Sequence, residues 1–142
     1  MSAVSLFGYR SRLIPDASVC NSSAGYGGGI HVNGSGGLDT VTICSNMFIT
    51  GNTTQESGGC IRVEGNTRLF MLEDGTFVAQ NEAISGDGGG LQVVGPARAD
   101  IGSPGAGNAG VINSNMAVNG GVVAVDAGHN TGENATLGLV ST

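Results

Sequence analysis

Gly58-Gly59-Cys60-Ile61-Arg62-Val63-Glu64-Gly65 decides the fold, because the chain repeats it. Gly27-Gly28-Gly29-Ile30-His31-Val32-Asn33-Gly34 precedes it, and Gly88-Gly89-Gly90-Leu91-Gln92-Val93-Val94-Gly95 follows. Gly120-Gly121-Val122-Val123-Ala124-Val125-Asp126-Ala127 is the last full copy. The template is Gly-Gly-x-aliphatic-x-Val-x-Gly, with alanine in the final place of the last copy. Its anchors Ile30, Ile61, Leu91 and Val123 lie 31, 30 and 32 residues apart. Val4-Ser5-Leu6-Phe7-Gly8 is a weaker first copy without the leading glycines. Self-similarity at one fixed period of this length marks a stacked repeat protein.

A second line of residues keeps step. Asn21, Asn52, Asn81 and Asn115 stand five to seven residues before each Gly-Gly. Ile49, Val78 and Ile112 stand three places before an asparagine, and Ser18 is the exception. Between these landmarks the sequence offers short β-branched or alternating runs bounded by Gly, Asn or Asp. They fall at 29–32, 40–44 and 47–50, then 60–63, 68–72 and 76–79, then 91–94, 97–101 and 110–112, and finally 135–140. A further run at 11–17 is broken by Pro15, which cannot donate to a ladder. Residues 102–109 are loop chemistry, and no window has a helical period.

Composition agrees. Of 142 residues 27 are glycine, 11% are charged, and the chain has neither Trp nor Lys. Such material suits short strands and tight turns rather than helices. Glycine has no period of three, which excludes collagen. A net charge of −6 with no lysine argues against a nucleic-acid partner. No signal peptide and no membrane-length apolar run is visible.

These patterns predict an all-β chain: a right-handed parallel β-helix of four to five rungs, about 30 residues each. Residues 1–142 form one domain, which reads as a fragment of a longer solenoid or a self-stacking unit, because the chain opens inside a strand copy. At a strand spacing of ~4.8 Å the rod would be roughly 20–25 Å long. Stacking places Ile30, Ile61, Leu91 and Val123 in one inward column, and Val32, Val63, Val93 and Val125 in another. Gly28, Gly58, Gly59, Gly88, Gly89, Gly120 and Gly121 turn corners that need positive φ or close backbone approach. A carboxamide both donates and accepts, so inward asparagines at 21, 52, 81 and 115 can bond the corner backbone and one another.

The paired signals resemble the repeats of chlamydial polymorphic outer membrane proteins, and more widely those of bacterial secreted right-handed β-helix proteins. That family joins a Gly-Gly-Ala-Ile type sequence to Phe-x-x-Asn. The matching stretches are Gly58-Gly59-Cys60-Ile61 with Ile49-Thr50-Gly51-Asn52, and Gly88-Gly89-Gly90-Leu91 with Val78-Ala79-Gln80-Asn81. Gly120-Gly121-Val122-Val123 with Ile112-Asn113-Ser114-Asn115 is the third pair. Ile or Val replaces the Phe throughout. The resemblance implies a surface-exposed or secreted, autotransporter-like passenger region, often adhesive. The fold also hosts polysaccharide lyases and hydrolases, so it does not fix a function.

Candidate sites are few. His31, Arg62, Gln92 and Ala124 alternate with the inward residues and form an outward stripe, either a solvated face or a binding stripe. The acids Asp16, Asp39, Glu56, Glu64, Glu73, Asp74, Glu82, Asp87, Asp100, Asp126 and Glu133 mostly read as solvated turn residues. Glu64 and Asp126 share one line two rungs apart, roughly 9–10 Å, a spacing that suits an inverting glycosidase pair. Gly34-Ser35-Gly36-Gly37-Leu38-Asp39 is a single imperfect copy of a calcium-binding nonapeptide. Cys20, Cys44 and Cys60 match no metal spacing, and read as small buried hydrophobes or as a disulfide pair. No metal or cofactor is expected. The expected role is a structural or adhesive module of a secreted or cell-surface protein, meeting a protein, a glycan or its own copies. The alternatives are a fragment of a carbohydrate-active enzyme and an end-to-end fibre subunit. Open strand edges at both ends motivate the last.

Overall fold

The computed structural model describes residues 4–6, 10–13, 18–20, 23–24, 27–43, 47–71, 76–101, 111–121, 123–126 and 136–139. Every element among them is a β-strand and every pairing is parallel. The first copy supplies β1 (Val4–Leu6), β2 (Arg10–Leu13), β3 (Ser18–Cys20) and β4 (Ser23–Ala24). The second supplies β5 (Ile30–Ile43), β6 (Phe48–Thr50) and β7 (Thr53–Thr54). The third supplies β8 (Ile61–Met71), β9 (Phe77–Ala79) and β10 (Glu82–Asp87). The fourth supplies β11 (Leu91–Val94), β12 (Arg98–Ile101), β13 (Val111–Asn113) and β14 (Met116–Asn119). β15 (Val123–Asp126) and β16 (Thr136–Leu139) belong to the fifth.

Each strand pairs with its counterpart one repeat away. The largest sheet runs β1-β5-β8-β11-β15, with β2 joined to β5, β12 to β8 and β16 to β12. The other two run β3-β6-β9-β13 and β4-β7-β10-β14. The register follows the template: Val4, Ile30, Ile61, Leu91 and Val123 are aligned in turn. Ile30, Ile61 and Leu91 are fully buried, as are Val63 and Val93 one line on. Val41 and Leu69, then Ile49 and Val78, extend the same core from the neighbouring columns. Removing a side chain of this size from water contributes about 1.5–3 kcal/mol. A single copy leaves these faces bare, so stacking is what makes the core.

The two glycines of each pair have different tasks. The first adopts a left-handed backbone, as at Gly58 with φ 72°. The second has no room for a side chain: a Cβ on Gly59 would stand 2.6 Å from the Gly89 carbonyl oxygen of the next copy. The Gly59 N–H donates to the Gly88 carbonyl at 3.0 Å, so the corner is stitched to its neighbour as well.

Two features differ from the sequence reading. Four pairing columns occur per repeat rather than three, because the chain stays extended after each asparagine. Thr53–Thr54, Glu82–Asp87 and Met116–Asn119 pair there. Strand β5 also runs without interruption through Gly34 to Asp39, where glycines suggested a loop. Only a register shift marks the bend. In the fourth copy Pro96 lacks an N–H, and the corresponding strand divides into β11 and β12. Pro15 and the 102–109 segment lie outside the described residues.

Candidate functional site

The asparagine corner comes first, because the core depends on it. Asn52, Asn81 and Asn115 are buried. The Asn81 Oδ1 accepts from both the backbone N–H and the Nδ2 of Asn52, at 2.9 Å each. The Asn81 Nδ2 donates to the Ile49 carbonyl at 3.0 Å and to the Asn115 Oδ1 at 2.8 Å. The Asn115 Oδ1 also accepts from the Asn81 backbone N–H, and its Nδ2 donates to the Val78 carbonyl. The carboxamides of Asn81 and Asn115 thus each close the turn of the copy before. The residue preceding each asparagine is left-handed: Gly51 at φ 67°, Gln80 at 57° and Ser114 at 50°. Asn21, the fourth expected member, lies outside the described residues.

The outward stripe is knotted around one carboxylate. His31, Arg62, Gln92 and Ala124 are register neighbours. Asn33, Glu64, Val94 and Asp126 form the adjoining line. The His31 Nε2 donates to the Glu64 Oε1 at 2.9 Å, and the Asn33 Nδ2 reaches the same oxygen at 2.9 Å. The Arg62 Nε donates to the Glu64 Oε2 at 2.8 Å, and its Nη2 is 2.7 Å from that oxygen. Arg62 also donates to the Gln92 Oε1. The hydrogen bond from His31, with Arg62 beside it, pulls the Glu64 carboxyl down to about 2 against the opposing effect of burial.

Gln92 departs from its outward assignment. It is only 3% exposed, because Arg62 lies across it. Alternation places a residue on a face, but it does not say whether a neighbour covers that residue. The stripe is therefore a closed ion-pair network rather than a row of solvated side chains.

Asp100 was grouped with turn acids, but it lies within β12 and is buried. The Arg98 Nε donates to its Oδ1 at 2.9 Å, and the Arg68 Nε to its Oδ2 at 2.8 Å. The hydrogen bond from Arg98, aided by Arg68, holds its carboxyl below the usual range. A signal for both carboxylates existed in the sequence: Arg62-x-Glu64 and Arg98-x-Asp100 are spaced by two, which in a strand puts each pair on one face. Asp39 and Glu82 also lie in strands, and Asp87 ends one.

Cys60 is buried, and its thiol donates to the Ile49 carbonyl oxygen at 3.9 Å. The side chain of Cys20 and the whole of Cys44 lie outside what is described. Among the described residues no three His, Cys, Asp or Glu side chains converge. The hydroxyl of buried Thr54 makes no hydrogen bond. Phe48 and Phe77 stack at 5.4 Å with their planes 9° apart, and both stay exposed at the surface.

No family model matches the chain, and no curated protein or solved structure matches it.

Proposed function

We propose that the chain is a right-handed parallel β-helix serving as a structural or adhesive module of a secreted or cell-surface protein, with its lateral faces as the working surface. The observation that carries the fold is the register. In three sheets each strand meets its counterpart one repeat away, in parallel and in chain order. Parallel strands joined by a crossover are right-handed in about 98% of cases, which supplies the hand.

Support for a non-catalytic role comes from Glu64. General acid–base chemistry needs a carboxyl whose pKa lies near working pH and whose oxygens can reach a substrate. Both Glu64 oxygens are engaged by His31, Asn33 and Arg62, and the group stays ionised far below neutrality. The test is incubation of the protein with polyuronates and neutral glycans, followed by assay for new chain ends. None is expected. New ends that disappear with Glu64→Gln would overturn this reading in favour of the enzyme one.

One observation favours self-association within the same role. Met116 and Val118 on β14 are 62% and 65% exposed, and β14 is an edge strand of its sheet among the described residues. Exposed apolar side chains on an open edge invite another strand. Sedimentation velocity across a concentration series should show growing species, and Met116→Lys should reduce them. A concentration-independent monomer would remove self-assembly from the proposal.

A further inference from the structure

The arginines are not scattered. Four of the chain's five cations fall on two adjoining register lines of the largest sheet. One line is Arg10, Thr40, Arg68, Arg98 and Thr136. The other is Arg12, Thr42, Phe70, Asp100 and Gly138. Asp100 is the one acid among these ten positions. Elsewhere the sequence has one arginine, Arg62, among ten acids. A chain of net charge −6 thus carries a strip of net positive charge.

Geometry adds to the charge. Arg68 and Arg98 share the single Asp100 carboxylate, which leaves the trio with one excess positive charge. The shared carboxylate also holds both guanidinium groups in place, which lowers the ordering cost of a later contact. Their side chains remain 41% and 47% exposed. From β2 to β12 the strip crosses three strand steps, about 15 Å along the stack at ~4.8 Å per step.

We infer that this strip, along the two register lines that run through β2, β5, β8 and β12, is a docking surface for a linear acidic polysaccharide bearing carboxylate or sulfate groups. Guanidinium groups match such oxyanions in a two-pronged geometry. Charges along a glycan are separated by whole sugar units, so a few can meet a few arginines spaced one or two strands apart. A nucleic-acid duplex carries one charge per about 1.7 Å, a density that four arginines on two register lines do not match. A flat anionic membrane would meet a chain whose overall charge is −6. The inference rests on the proposal that lateral faces are the working surface.

The test uses the whole chain and a fluorescently labelled heparin octasaccharide, with anisotropy read at low and at physiological ionic strength. Binding that weakens with salt is expected. Arg10→Gln with Arg12→Gln should weaken it about tenfold or more, the loss of charge-assisted contacts. This pair leaves the Arg68–Asp100–Arg98 trio intact. Gln55→Glu lowers the net charge by one at an exposed position off both register lines and should leave affinity unchanged, with circular dichroism confirming that each variant is folded. Absence of binding by the parent chain, or equal weakening by Gln55→Glu, overturns the strip. So does competition by neutral dextran, by a single-stranded polynucleotide or by phosphatidylserine vesicles as effective as that of unlabelled octasaccharide. Mass spectrometry of the recovered glycan separates the two proposals. Binding with cleavage keeps the strip and overturns the non-catalytic role, whereas no binding overturns the strip alone.

Discussion

The asparagine corner and the Glu64 knot are built at the same spacing, one repeat per step, yet they solve different problems. Inside, Asn52, Asn81 and Asn115 are the same residue three times over. Outside, His31, Arg62, Asn33 and Gln92 are four different residues arranged about one acid. Water explains the contrast. A buried donor or acceptor without a partner costs about 1–3 kcal/mol, so each corner residue must match the one above it. Only a side chain with both donors and acceptors can do that in an unbroken line. At the surface, solvent completes whatever the side chains leave open, and the residue type can drift. Repetition of identity, not merely of hydrophobicity, therefore marks the corner, where the buried groups bond to their own kind one repeat away.

Breaking the interior member should cost most. Asn81→Leu removes the acceptor of two Asn52 donors and the donor to the Ile49 carbonyl. A loss of about 3 kcal/mol or more is expected, since several buried groups lose partners at once. Denaturant midpoints measure it, and a loss below about 1 kcal/mol would make the corner no different from the surface. The exterior should respond less and in a pH-dependent way. The folded-state pKa of Glu64 is depressed from 4.5 to about 2, so its contribution is present above the ordinary value and is lost as pH falls through that window. Glu64→Gln should cost about 1 kcal/mol near neutrality and flatten that part of the acid limb, leaving the share due to Asp100. Thermal melts down to low pH test this, and an unchanged acid limb would sink the assignment. The smallest effect should be a gain. Gln80 holds φ 57° beside the ladder, a conformation a side chain disfavours, so Gln80→Gly should stabilise by up to about 1 kcal/mol. A loss instead would mean that the Gln80 side chain contributes more than its backbone costs.

How legible this was depended on the length of each signal. The register line Ile30, Ile61, Leu91 and Val123 could be written from the sequence, because aliphatic anchors recur beside a Gly-Gly that tolerates no substitute. The asparagine line was equally plain at 52, 81 and 115. The fourth column was not, since Thr53–Thr54 is two residues long and its inward residues, Thr54 and Ala83, carry no alternation of large apolar side chains. Strand β5 ran on through glycines, with pairing to β8 on both sides of a register shift between Gly34 and Asp39. The Glu64 knot was half visible. His31, Arg62 and Gln92 were seen as a line, but the acid that organises them was assigned to the next line and to solvent. Asp100 was missed because its cover comes partly from Arg68 on the neighbouring strand, a pairing that adjacent sequence does not show.

The pairing of every strand with the copy one repeat away has a further consequence, for how the chain acquires its structure. Loop-closure entropy is met in equal small instalments instead of one large closure between distant ends. A repeat leaving the ribosome needs only the repeat before it as a template, so ordering can advance in the direction of synthesis. Mechanical tension on either end should then release the structure by fraying, one repeat at a time, with the interior untouched until its neighbour has gone.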